Sequence, residues 1–225
     1  GPVQISTDGA YVKGSPSAKA TLVEYADFQC PYCVRAVPMV QQVLQKYPND
    51  VKYIFKQLPL VSIHKFAEPA ARANVAAGLQ GKFWEMHEVL FQNSRALDDA
   101  SLRKYAQDLG LDMARFDKDF NGPAVKQTID KDVAESQRNG VNGTPAFFVN
   151  GYEVPSLDID TLSKMIEAAR AGGDVGASVA DILKRQAEQE AAYRKQQAEQ
   201  QAAEASRVYG GIQGGLSNGE PLLAR

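Results

Sequence analysis

The sequence predicts an α/β fold, and three observations predict it. A strand-like run, "TLVEYADF" at residues 21–28, passes directly into a helix-patterned stretch that begins at Pro31. A second strand-like run, "VKYIFKQLPL" at residues 51–60, follows that helix. After a long helix-rich block, "TPAFFVNGYEVPS" at 144–156 returns to strand before one more helix.

Each element has a local reason. Leu22, Val23, Tyr25 and Phe28 supply the β-favouring side chains of the first strand. In the helix, Val34, Val37, Val40, Val43, Leu44 and Tyr47 recur at helical spacing; Pro31 suits a first turn, Pro38 should kink the interior, and "YPND" ends the run. Pro59 closes the second strand, and this β-α-β unit should place its strands in parallel with a right-handed crossover. Residues 64–139 hold four helix-patterned segments punctuated by Gly or Asn-Gly. Asn150-Gly151 sits between apolar runs as a two-residue hairpin turn, and a helix from about Asp158 to Ala171 carries Leu162, Met165, Ile166 and Ala169 on one face.

Beyond "AGGDVG" the chain turns to Ala, Gln, Glu, Lys and Arg. That composition holds through residues 178–208, and the apolar stripe (Leu183, Ala187, Ala191, Ala198, Ala202, Ala205, Tyr209) is mostly alanine, so it buries little area and reads as a long solvated helix. The Gly-rich end is expected to be flexible unless Leu222 and Leu223 dock. The expected organisation is a core of residues 1–63 and 140–172, a helical insertion at 64–139, a charged helix at 173–209 and a tail at 210–225.

Composition removes several classes of function. The 225 residues, 44% hydrophobic and 23% charged, suffice for a substantial core. A formal net charge of −2 offers no basic excess for nucleic acid or an anionic membrane, and no run reaches the ~18 apolar residues of a spanning helix. The N-terminal stretch has no charged-then-apolar signal segment, but Gly1-Pro2 has the form left by tag removal, so location has to be argued from other features.

The chain has two cysteines, Cys30 and Cys33, in "CPYC". At a helix start they lie one turn apart, which permits a reversible disulfide, whereas so small a loop contributes little as a staple. Unpaired N–H groups and the helix dipole favour negative charge on Cys30, making it the attacking sulfur; Cys33, one turn inside, is the resolving thiol. Half a zinc site has the same spacing, but zinc wants four ligands and only His64 and His87 remain as nitrogen donors. His87 falls at helical spacing from Trp84 and Phe91, as a packed or surface residue would, and His64 carries no stronger signal. No metal or organic cofactor is expected.

With "CPYC" after a strand, "GTPAFFVNG" far downstream and "QGKFWEMHEVLF" between them, residues ~10–171 resemble the DsbA-like disulfide oxidoreductases of bacterial cell envelopes. Glutaredoxins share "CPYC", but Pro145 lies 112 residues beyond Cys33, too far for that compact fold. The resemblance implies a thioredoxin-like fold with an inserted all-helical subdomain, here with a long C-terminal helical extension. It implies a cis bond before Pro145, with Thr144 facing Cys30 to contact substrate. It further implies a buried acid at Glu24 beneath the disulfide, with Lys56 on the neighbouring strand as its expected ion-pair partner. Pro31 and Tyr32 would tune the pair; family members with His inside the motif use it to stabilise the thiolate, and Tyr32 stands at that place. The implied activity is donation of the Cys30–Cys33 disulfide to protein thiols in a periplasmic or other extracytoplasmic compartment, with a redox partner to restore the disulfide. Reduction or isomerisation remains open, as does a binding or assembly module acting through the C-terminal helix, which is also a possible homodimer contact.

Overall fold

The computed structural model describes residues 1–217, with side chains through residue 211. Gly1–Val179 forms one compact unit, and a second begins at Ala180. Five strands form a single sheet: β1 (Val12–Gly14), β2 (Ala20–Ala26), β3 (Val51–Gln57), β4 (Ala146–Val149) and β5 (Tyr152–Glu153), in the order β1-β3-β2-β4-β5. β2 and β3 are parallel, as a β-α-β unit requires, with Glu24 opposite Phe55 and Tyr25 opposite Lys56. The other pairings are antiparallel. At the β4–β5 turn Asn150 and Gly151 both take positive φ (48° and 83°), the backbone that the Asn-Gly pair favours.

The crossover between β2 and β3 is α1 (Pro31–Lys46). It starts at Cys30 as N-cap with Pro31 in the first turn, contains Pro38, and buries Cys33, Ala36, Val40 and Val43. Five helices then form the insertion: α2 (Ala67–Gly78), α3 (Phe83–Gln92), α4 (Asp99–Asp108), α5 (Met113–Phe120) and α6 (Pro123–Arg138). α7 (Ile159–Arg170) is capped by Asp158, whose carboxylate accepts the Thr161 N–H at 2.7 Å. It is tied to α1 through the Tyr47 hydroxyl, which donates to Glu167 at 2.6 Å.

The sheet separates two environments. One face gathers Val23, Tyr25, Ile54, Ala146 and Phe148 into an apolar cluster, completed by Val133 of α6 and by Val3 and Ile5 of the N-terminal segment. The other face carries Leu22, Glu24, Tyr53 and Phe55, and there α1 and α3 approach the strands.

Three features depart from the pattern read in the sequence. The insertion has a fifth helix, α6, entered at Pro123, which buries only Val125, Ile129, Glu135 and Ser136 and so shows little apolar period. β1 escapes because three residues cannot show alternation; it exists through its antiparallel pairing with β3, Val12 opposite Ile54. The C-terminal helix is also longer than expected: α8 runs Val175–Ser217, past Gly210 and Gly211, because a glycine costs a helix only about 1 kcal/mol and no proline interrupts the run. Leu222 and Leu223, expected as possible docking residues, lie outside the described residues.

Candidate active site

β2 and α1 build the site between them. β2 runs out at Ala26, Asp27 to Gln29 turn the chain, and Cys30 caps α1. The Cys30 carbonyl accepts the N–H groups of Cys33 and Val34, both at 3.1 Å, so the motif is the first turn itself. Both thiols are free, with Cys30 4% exposed and Cys33 fully buried. The Thr144–Pro145 bond is cis, and the Thr144 carbonyl lies 3.7 Å from the Cys30 sulfur, within reach of its thiol proton. The two segments named in the sequence therefore meet at one sulfur, between residues 114 apart.

Burial pushes the Cys33 thiol well above its ordinary value, opposed by the Asp27 backbone and Thr144, while the negative charges of Cys30 and Glu24 add to the rise. Glu24 is itself buried on the face beneath α1. It accepts the Tyr53 hydroxyl proton, yet burial outweighs that bond and holds its carboxyl at about 7. Tyr53 is raised in turn, by burial first and then by Glu24. A cavity of about 250 Å³ opens beside this acid, walled by Val34, Val37 and Leu44 of α1 and by His87 and Phe91 of α3.

Lys56 is not the partner of Glu24. Its ammonium lies 3.1 Å from Glu135 and 3.9 Å from Asp132 and donates to the Ser6 carbonyl at 2.6 Å. The cause is strand parity: Lys56 pairs with Tyr25, so it projects from the opposite face of the sheet to Glu24. There Tyr25 also donates to Glu135, and burial followed by that carboxylate raises its phenol.

His87 packs against Phe28, Phe55, Trp84 and Phe91, its Nε2 has no hydrogen-bond partner, and burial pushes its pKa down to about 3. Tyr32 is two-thirds exposed and carries the Arg35 guanidinium 4.6 Å from its ring centroid. Among the described residues, no group of three or more His, Cys, Asp or Glu is arranged to hold a metal ion.

Sequence reading missed Asp27. Its side chain is completely buried three residues before Cys30, and its carboxylate meets the Gln29 N–H (2.7 Å), the Leu60 N–H (2.9 Å) and His64 Nδ1 (2.7 Å). An acid at the mouth of a strand is an ordinary turn residue by pattern; only its distance from Cys30 hinted at more.

Comparison with known proteins agrees with this geometry. The family model described as Thioredoxin matches residues 6–168. A thioredoxin-like oxidoreductase from Silicibacter pomeroyi is 33% identical, with 73% of this chain and 94% of that one covered and a TM-score of 0.67. A periplasmic thioredoxin-like protein from Salmonella enterica serovar Typhimurium is 29% identical over 72% of this chain and 90% of that one, with a TM-score of 0.61. BdbD from Bacillus subtilis, 23% identical, shares the fold over 76% of this chain and 97% of its own, with a TM-score of 0.68. Among curated proteins, a Na(+)/H(+) antiporter NhaA 1 from Salinispora arenicola is 40% identical over 171 residues, which is 76% of this chain and 26% of that protein. The chain thus spans about a quarter of the length of such relatives. No described helix is long and apolar enough to cross a membrane. With Cys30 and Cys33 at the start of α1 and the carbonyl before cis-Pro145 against the first sulfur, the chain belongs to the thioredoxin family.

Proposed function

We propose that the protein donates the Cys30–Cys33 disulfide to protein thiols in an extracytoplasmic compartment. The observation that carries the reading is the order of the two sulfurs: Cys30 stands at the helix N-terminus against Thr144, and Cys33 lies fully buried behind it. A substrate thiolate attacks Cys30 Sγ in the disulfide. The S–S bond breaks, its electron pair leaves on Cys33, and Cys33 takes up a proton, for which Glu24 is the nearby buried source. A second substrate thiolate then attacks the substrate sulfur of the mixed disulfide and releases Cys30. Two electrons have moved from substrate to Cys30 and Cys33, and a separate oxidising partner must take them away.

Two features support the donor direction. Cys30 stands at the N-terminus of α1, whose unpaired N–H groups and dipole present positive potential to it. A protein-oxidising role also requires a compartment outside the reducing cytoplasm, which accords with the periplasmic relative. Thr144 and Pro145 would receive an extended substrate segment, with the Thr144 carbonyl already turned to Cys30.

The test is reactivation of reduced, unfolded ribonuclease A by the oxidised protein. The wild type should restore activity and appear as dithiol. Cys30→Ser and Cys33→Ser, neither of which can form the disulfide, should give none, and Cys33→Ser exposed to oxidised glutathione should take up one glutathione on Cys30, visible by mass, as the other glutathione leaves as thiolate. If the Cys30→Ser protein oxidises ribonuclease as well as the wild type, the reading fails. Self-association through α8 is a separate proposal, read by sedimentation of the full chain against one ending at residue 179.

A further inference from the structure

Thiol exchange as described uses Cys30, Cys33, Thr144 and Glu24, and it leaves unexplained a buried carboxylate tied to a histidine beside the motif. Asp27 is where three strands of contact converge. Its carbonyl accepts the Cys30 N–H at 3.1 Å, and its backbone also bears on the Cys33 thiol, lowering it against burial. Its carboxylate accepts two backbone N–H groups, one from the Cys30 segment (Gln29) and one from the segment after β3 (Leu60). His64, in that second segment, sits 2.7 Å from the same Oδ2 that accepts Leu60.

The chemistry of the pair fixes its direction. A carboxylate collecting N–H donors can only accept, so His64 Nδ1 carries the proton and donates it. A second tie runs parallel: the Gln29 side-chain carbonyl accepts the Phe66 N–H at 2.8 Å. The segment after β3 is thereby fastened to the turn that delivers Cys30, at residues on both sides of its exposed Val61 and Ile63. With the Asp27 side chain fully buried and His64 18% exposed, solvent can replace the histidine only poorly.

We propose that His64 is a positioning residue for thiol exchange: by donating Nδ1–H to Asp27 it holds the Asp27 peptide groups against Cys30 and Cys33. Without that donor, the buried carboxylate loses one of its three ties and draws toward water, and the backbone that favours the Cys33 anion goes with it. Departure of electrons onto Cys33 is the step that suffers. The proposal rests on exchange at Cys30–Cys33, and a wild-type protein that does not oxidise a dithiol would defeat that reading before this one is reached.

The experiment compares His64→Ala, His64→Asn and His64→Gln in the full chain. An Asn amide nitrogen reaches the place of Nδ1, whereas a Gln amide reaches the place of Nε2. Turnover of a peptide with two cysteines and the equilibrium constant against glutathione are measured for each, with melting temperature as the folding control. His64→Ala and His64→Gln should lose about ten-fold in kcat, the size of one charge-assisted hydrogen bond, with KM little changed and the equilibrium, whose reduced form holds Cys33 protonated, within about two-fold of wild type. His64→Asn should stay within about two-fold of wild type in both. If His64→Ala fails to fold, the Asn and Gln variants decide alone. Wild-type kcat in a folded His64→Gln protein, or a folded His64→Asn protein as impaired as His64→Gln, would overturn the proposal.

Discussion

Glu24 and Lys56 stand on opposite faces of the sheet, although they occupy neighbouring strands whose registers place Glu24 beside Phe55 and Tyr25 beside Lys56. The acid faces α1 and the buried thiol; the lysine serves a polar cluster with Glu135, Asp132 and Ser6. Each residue therefore has its own predicted consequence.

Replacing Lys56 by Met should destabilise the fold and spare the chemistry. Glu135 keeps the Tyr25 hydroxyl and the Ser6 N–H but loses its cation while buried, a loss of about 3 kcal/mol. Denaturant unfolding measures that loss. The equilibrium constant with glutathione should remain within about two-fold of wild type, less than ~0.5 kcal/mol. A large change in that constant would restore Lys56 to the redox site.

Glu24→Gln should slow turnover and remove the dependence on a group of pKa about 7 from the pH–rate profile. It should also change stability with a definite sign. The folded value lies above the ordinary 4.5, so the native state binds more protons between roughly pH 4.5 and 7, and stability falls as pH rises through that window. The difference between wild type and variant should grow to the order of 3 kcal/mol above pH 7. Asp132, held at about 6 chiefly by burial, titrates in both proteins and cancels in the comparison.

His87 acts in the opposite sense. Its folded value is depressed to about 3 from 6.5, so the unfolded chain binds more protons in that interval, and stability is lost as pH falls from about 6.5 toward 3. His87→Phe should flatten that acid limb, removing a penalty on the order of 5 kcal/mol at pH 3, while thiol exchange at pH 7 persists. Acid titration of folded fraction by circular dichroism reads it. An unchanged acid limb would mean that His87 is not the buried neutral base described.

Much of the fold was legible because hydrophobic period and punctuation reported it directly. β2, α1 and β3 announced themselves through Leu22 to Tyr25, the valines of α1 and the run from Val51, and the Asn150-Gly151 turn was visible as a dipeptide. The sulfur pair carried a strong local signal, whereas Thr144-Pro145 was legible only through the family resemblance. What escaped was set by register and by contacts distant in sequence. One residue of parity decides that Lys56 turns away from Glu24, and no periodicity fixes the register of one strand against another. Asp27 and His64, 37 residues apart, meet only because β2 and β3 end side by side. Gly210 and Gly211 resembled a stop, yet a helix with favourable neighbours absorbs them.

The most direct test of the central claim is the equilibrium of Cys30–Cys33 with glutathione, followed by thiol alkylation and by the fluorescence of Trp84, whose ring lies 5.4 Å from that of Tyr53. A reduction potential above about −180 mV, more oxidising than protein disulfide isomerase, is the result expected of a disulfide donor. A value near about −270 mV, that of thioredoxin, would contradict it and make the protein a reductase.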